Sequence, residues 1–194
     1  MNPLRRIQYN APVTLTFAIL SGLALALAHY TDGTSNRLLF MVYRAPFTDP
    51  LMYLRLFTHA LGHSGAAHYL NNFIIILLVG PMLEEKYGAK RIFIMMVVTA
   101  FITGVLWIIL SPYAKLGASG IVFMLILLSS FANREKGRIP LTLILAVAIY
   151  LGREVISAAT VDDNIAYMSH IVGGLCGALF GFMAGRGDNH DWDA

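Results

Sequence analysis

Apolar blocks of membrane-spanning length recur along this chain, joined by short polar links, and they decide what it can fold into. They lie at residues 13–29, 65–83, 92–110, 117–131, 140–156 and 165–184. Hydrocarbon offers no partner to backbone N–H and C=O groups, so continuous runs of this kind read as helices that pair their own backbone. The 194 residues are 57% hydrophobic and only 13% charged, where a soluble domain carries about 25% charged residues. The expected fold class is an all-α membrane protein: a bundle of six transmembrane helices over residues 13–184, with a long, partly helical first outer loop.

The first block follows Arg5 and Arg6, and Ala26-Leu27-Ala28 near its end imitates a signal-peptidase site. A cleaved signal peptide is the competing reading, and the length of the run and the spans behind it favour a first transmembrane helix. Residues 31–64 hold turn signals (Asp32-Gly33, Ala45-Pro46, Asp49-Pro50) and aromatic residues but no full span. They predict short amphipathic helices at the outer interface. Pro140 suits the first turn of a fifth helix, where no amide donor is needed.

With residues 1–12 and 185–194 cytoplasmic, nine of the 14 basic residues fall inside (Arg5, Arg6, Lys86, Lys90, Arg91, Arg134, Lys136, Arg138, Arg186) and five outside (Arg37, Arg44, Arg55, Lys115, Arg153). That bias obeys the positive-inside rule. Basic clusters beside apolar blocks, at a net charge of only +3, indicate membrane lipids as partners and no nucleic acid. The single cysteine, Cys176, excludes an internal disulfide.

This topology sends the second, fourth and sixth spans across the bilayer from outside to inside. His68 and Asn72 near the start of the second, Ser119 at the start of the fourth and His170 early in the sixth then share one depth, in the outer third. Polar groups there are costly unless they face a bundle interior or a wet cavity, so the four form a candidate site. Ser119 alone says little, because a serine in a membrane helix ordinarily bonds back to its own helix. Its neighbours Gly117 and Gly120 remove side chains where a helix or substrate would approach. Behind His170, Gly173, Gly177, Gly181 and Gly185 recur every four residues, a face that serves close packing within one chain or between chains. If it meets the fourth helix, the imidazole reaches Ser119. A serine nucleophile needs a base and donors for an oxyanion. His170 is the candidate base, and His68, Asn72 and the Ser119 amide are the candidate donors. No carboxylate lies in the spans near this depth, so a Ser119–His170 dyad without a third member is expected.

His59, His63, His68 and His170 invite a metal reading, but no helix carries the His-Glu-x-x-His pattern, and no catalytic metal is expected. His59 and His63 fall in the interfacial segment, with His63 bonded to loop backbone. Glu84 either meets the headgroups or tethers neighbouring helix ends. Arg55 either snorkels to the interface or anchors the outer loop.

Taken together, the residues resemble the rhomboid intramembrane serine proteases, particularly the compact six-span bacterial form. Gly117-Ala118-Ser119-Gly120 is similar to their G-x-S-G nucleophile motif, and His68-Tyr69-Leu70-Asn71-Asn72 to their H-x-x-x-N motif. His170-Ile171-Val172-Gly173, with Gly177, resembles the histidine-glycine motif of their last span. Gly80, Glu84 and Gly88 fit a glycine-glutamate-glycine spacing, and Arg55 resembles the tryptophan-arginine element of their first outer loop. The likeness covers roughly residues 53–185. It implies hydrolysis of peptide bonds in or beside the membrane segments of transmembrane protein substrates, with no cofactor. Ser119 would be nucleophile and His170 base; His68, Asn72 and Gly117 would border the oxyanion and substrate. Arg55, Glu84, Phe123, Gly173 and Gly177 would be structural supports. The resemblance implies a bacterial inner (plasma) membrane, with the site open to the outer side. A non-catalytic rhomboid-like scaffold that binds transmembrane clients is the alternative. Three positions depart from the pattern. Phe123 stands where many relatives place a tyrosine against the catalytic histidine, Leu54 replaces the tryptophan before Arg55, and Ser169 stands where alanine usually precedes the histidine.

Overall fold

The structure, a computed structural model, describes residues 8–132, 141, 144–145, 148 and 166–187. The expected fifth span at 140–156 falls almost wholly outside the described residues, as do the basic link at 133–138 and the tail from 188. The described helices are α1 (Pro12–Tyr30), α2 (Pro50–Thr58), α3 (Ala66–Tyr87), α4 (Ala89–Leu110), α5 (Ser119–Phe131) and α6 (Ala166–Gly187), with a π-helical turn at Asn36–Phe40. Among the described residues there is no strand, only an isolated antiparallel bridge between Val42 and Lys115. The protein is an all-α membrane protein. Helices α1, α3 and α4 are each long and apolar enough to cross a bilayer, and α5 and the Met168–Ala184 part of α6 are shorter apolar helices.

Packing follows the logic of hydrocarbon rather than water. Lipid tails are as apolar as leucine, so large side chains gain little by turning inward, while small ones let backbones approach. On α1 the buried stripe is Thr14, Ala18, Ser21, Ala24 and Ala28, while Ile19, Leu20, Leu23 and Leu27 face outward. That stripe lies on α3, where a Cβ at Gly80 would stand 2.7 Å from the Thr14 side chain. The Tyr69 hydroxyl donates to the Ala18 carbonyl at 3.0 Å. Glu84, buried on α3, accepts from the amides of Val13 (2.9 Å) and Thr14 (3.0 Å) and from the Thr14 hydroxyl (2.9 Å). These amides are first-turn donors that α1 cannot satisfy itself, and the carboxylate also meets the positive end of the helix dipole. Glu84 thus caps one helix from another.

Helix α5 is the centre. Its buried residues include Gly120, Ile121, Val122, Met124, Leu125, Leu127 and Leu128, which take up most of its circumference and leave Ser119, Phe123 and Ile126 half-buried. Helix α6 lies on it through the glycine stripe. A Cβ at Gly173 would stand 2.0 Å from the Gly120 carbonyl oxygen, and one at Gly177 would stand 2.2 Å from that of Met124. The stripe is therefore used inside the chain.

The segment joining α1 to α3 is packed more deeply than its sequence indicates. Helix α2 presses on α4 at Gly104, where a Cβ would stand 2.7 Å from the Leu56 carbonyl oxygen. Arg55, 1% exposed, binds Asp49 and the Leu38 carbonyl and lies 4.3 Å from the Tyr43 ring centroid. Leu54 beside it is 43% exposed. His59 and His63, expected at the interface, are 1% and 0% exposed. Backbone carbonyls make that burial possible: His59 Nε2 lies 3.0 Å from Ala100 O and His63 Nδ1 3.1 Å from Leu61 O. Burial pushes their pKa values down to about 3 and about 4 respectively.

Two stability predictions follow from this packing. Glu84→Ala strands the first-turn donors of α1 and is expected to cost about 2–4 kcal/mol, read as a lower unfolding midpoint in detergent; an unchanged midpoint contradicts the capping role. The two buried histidines are neutral in the fold, but when exposed they take a proton below about pH 6.5. The unfolded chain therefore binds more protons, and stability falls as pH drops from about 6.5 toward 4, by up to about 1.4 kcal/mol per unit for each imidazole. A midpoint that is flat between pH 7 and 4 would contradict this.

Candidate active site

The link between α4 and α5 is irregular backbone, and its polar groups are held by protein. Val42 and Lys115 exchange two backbone bonds of 2.8 and 2.9 Å, the Gly117 amide donates to His59 O at 2.9 Å, and Trp107 Nε1–H donates to Tyr113 O at 2.8 Å. Gly117 then turns the chain into α5 at φ +126°, a conformation that favours glycine. A side chain there would also collide with His68, whose Cε1 and Nε2 lie 2.8 Å from the ideal Cβ position. Ala118 caps α5 without a side-chain hydrogen bond. Ser119 is the first helical residue, so its N–H belongs to the first turn, which intrahelical bonds leave open.

His68 and Asn72 sit one turn apart on α3 and share a face. The Nδ1 of His68 lies 3.1 Å from Ser64 Oγ, which leaves the Nε2 edge toward Gly117. Asn72 Nδ2 lies 3.1 Å from His63 Nε2. Since His63 Nδ1–H donates to Leu61 O, Nε2 accepts, so one hydrogen of the Asn72 amide is committed and the other remains. His170 of α6 stacks flat on Phe123, with ring centroids 4.2 Å apart and planes 7° apart. Phe123 is one turn beyond Ser119, so α5 supplies both the hydroxyl and the surface that orients the imidazole.

These residues enclose a cavity of about 360 Å³ lined by His68, Asn72, Ser119, Phe123 and His170, with Asn71, Ile75, Trp107, Lys115, Leu116 and Val122. Ser119, His68 and His170 are each half-buried. The structure thus brings the four polar residues singled out in the sequence to one cavity. A hydroxyl, an imidazole and nearby amide donors are the groups that acyl transfer needs. Gly117 borders the cavity by admitting His68, and Gly173 and Gly177 hold α6 at its distance from α5. Arg55 and Glu84 stand away from the cavity, in the segment joining α1 to α3 and at the start of α1. Among the described residues no group of three histidine, cysteine, aspartate or glutamate side chains is placed to hold a metal.

Sequence reading passed over Lys115, which it counted only as an outer charge. Its Nζ donates to Ser169 Oγ and lies 5.3 Å from the Trp107 ring centroid. Burial pulls its pKa down to about 7. The available signal was position: Lys115 lies four residues before Ser119, and its acceptor precedes His170.

A rhomboid domain model matches residues 50–187. RHOMBOID-like protein 4 of Arabidopsis thaliana is 32% identical over 138 residues, 67% of this chain and 34% of that protein. Rhomboid protease GluP of Bacillus subtilis is 29% identical over 180 residues, 88% of this chain and 34% of that protein. Rhomboid protease GlpG of Haemophilus influenzae is 25% identical over 165 residues, 75% of this chain and 84% of that protein. The chain therefore matches about a third of the length of the first two. The family model covers most of the chain, and the chain belongs to the rhomboid family.

Proposed function

We propose that this chain is an intramembrane serine endopeptidase acting on transmembrane protein substrates, with Ser119 and His170 as its dyad. The observation that carries the reading is that Ser119 and His170 line one cavity with His68 and Asn72. Relatives named as rhomboid proteases support the reaction class. In the reaction, Ser119 Oγ attacks the scissile carbonyl as His170 takes its proton. The oxyanion is met by the Ser119 N–H, His68 Nε2–H and the remaining Asn72 amide hydrogen. His170 then protonates the leaving amine, and water hydrolyses the acyl-enzyme by the reverse proton path. The flat stack on Phe123 holds the imidazole where a carboxylate would in a triad. No cofactor enters.

Geometry supports chemistry at membrane depth. The 13 residues of α5 rise about 20 Å, short of the roughly 30 Å hydrocarbon core. Backbone flanking so short a helix lies below the surface, and irregular backbone such as the link before Ser119 survives there only when protein covers it. The bonds to Val42 and His59 provide that cover. The proposed orientation puts both termini in the cytoplasm and opens the cavity outward.

The test is cleavage of a single-span model substrate in detergent, with fluorophosphonate labelling alongside. Ser119→Ala and His170→Ala are each expected to lower kcat by more than about 10³-fold, and Ser119→Ala to abolish labelling. Cleavage that survives Ser119→Ala would sink the mechanism, and a folded wild type that neither cleaves nor labels would favour a client-binding scaffold. Phe123→Ala is expected to cost about 10- to 100-fold in kcat, and Phe123→Tyr, which keeps the ring, less than about 3-fold. Equal activity of the two variants would remove the stacking role.

A further inference from the structure

The hydrolysis just described leaves Lys115 without a task, although its side chain lines the same cavity. Its backbone is fixed by the two bonds to Val42. Its Nζ donates to Ser169 Oγ, on a side chain only 3% exposed. One hydrogen bond thus joins the link that leads into Ser119 to the helical turn that carries His170. The Gly120–Gly173 contact sets how close α5 and α6 lie, but a glycine face gripping a carbonyl does little to oppose rotation of α6 about its own axis. A side-chain bond off that axis, one turn before Gly173, does.

We propose that Lys115 is a positioning residue: through Ser169 it locks the rotation of α6 and so aligns His170 with Ser119. The inference rests on the reading of Ser119 and His170 as a dyad. An ammonium donates a stronger hydrogen bond than a neutral amine. With burial bringing Lys115 to about 7, the brace is strongest below neutral pH and weakens above it. Among the described residues, the titratable groups around Lys115 are His59 at the end of α2, His68 on α3 and His170 on α6, while α4 presents the Trp107 ring. His59 titrates at about 3, far below the range in question. The alkaline side of a rate profile near neutrality reports Lys115.

The experiment measures kcat and KM for a single-span model substrate in lipid–detergent micelles from pH 5 to 9. Wild type, Lys115→Met, Lys115→Arg and Ser169→Ala are compared, with unfolding midpoints to establish folding and Ser119→Ala as control. Lys115→Met and Ser169→Ala are expected to lose about 10- to 100-fold in kcat with KM nearly unchanged, as for a misaligned catalytic pair. Wild-type kcat should decline above pH 7, and Lys115→Arg should stay within about 3-fold at pH 7 without that decline, since guanidinium keeps its charge. Folded Lys115→Met and Ser169→Ala proteins with wild-type kcat and profile would overturn the inference. So would a loss in Lys115→Met that Ser169→Ala does not share, because it would place Lys115 on the substrate instead. Cleavage by Ser119→Ala would remove the dyad itself, and the inference with it.

Discussion

Everything in this fold depends on how closely α6 can approach α5. The approach is set where glycine leaves room: the Cβ atoms absent from Gly173 and Gly177 would lie 2.0 and 2.2 Å from backbone oxygens of α5. No side chain fits there, and adding one drives the helices apart. In water such contacts would be minor beside apolar burial. Between helices in lipid the balance reverses, because dispersion and fit are most of what holds them. The catalytic geometry proposed here is a by-product of that fit, since the hydroxyl and the imidazole ride on the two helices it joins.

The close contact of α5 with α6 is legible in the sequence, and the reason is physical. Glycine at every fourth position can only mark one face of a helix, and Gly117 and Gly120 around Ser119 can only mark close approach, so the α5–α6 contact was foreshadowed. Counting spans predicts a common depth for His68, Asn72, Ser119 and His170, and the four line one cavity. What stayed hidden is whatever depends on the path of irregular backbone. Nothing in the stretch from Thr31 to Ser64 tells that His59 is buried against α4 and His63 against α3, because the carbonyls that accept from them belong to Ala100, far along the chain, and to the loop's own Leu61. The role of Glu84 was left between two readings for the same reason. Its acceptors' partners lie 70 residues earlier, on a helix whose first turn looks unremarkable in sequence. Lys115 escaped notice because a charge on a short outer link has an ordinary explanation, and its bond to Ser169 needs the register of two helices to be known.

The segment joining α1 to α3 unites these hidden elements. It supplies Val42 to the link before Ser119, the His59 carbonyl to Gly117 and, through His63, the acceptor that orients Asn72. Arg55 and Asp49 fasten the loop to itself. The cavity wall is thus held from behind by residues that never enter it, and damage to the loop should be felt in the alignment of donors rather than in their identity.

The flat stack of His170 on Phe123 limits how that imidazole can move. A ring lying face to face on another can spin within its own plane at small cost, but it tips out of plane only by giving up the contact. Proton traffic in the proposed reaction is therefore confined to a thin slab parallel to the phenyl ring. The hydroxyl that gives the proton and the nitrogen that later receives it must both enter that slab. A peptide whose departing nitrogen lies above or below it could bind and still go uncut.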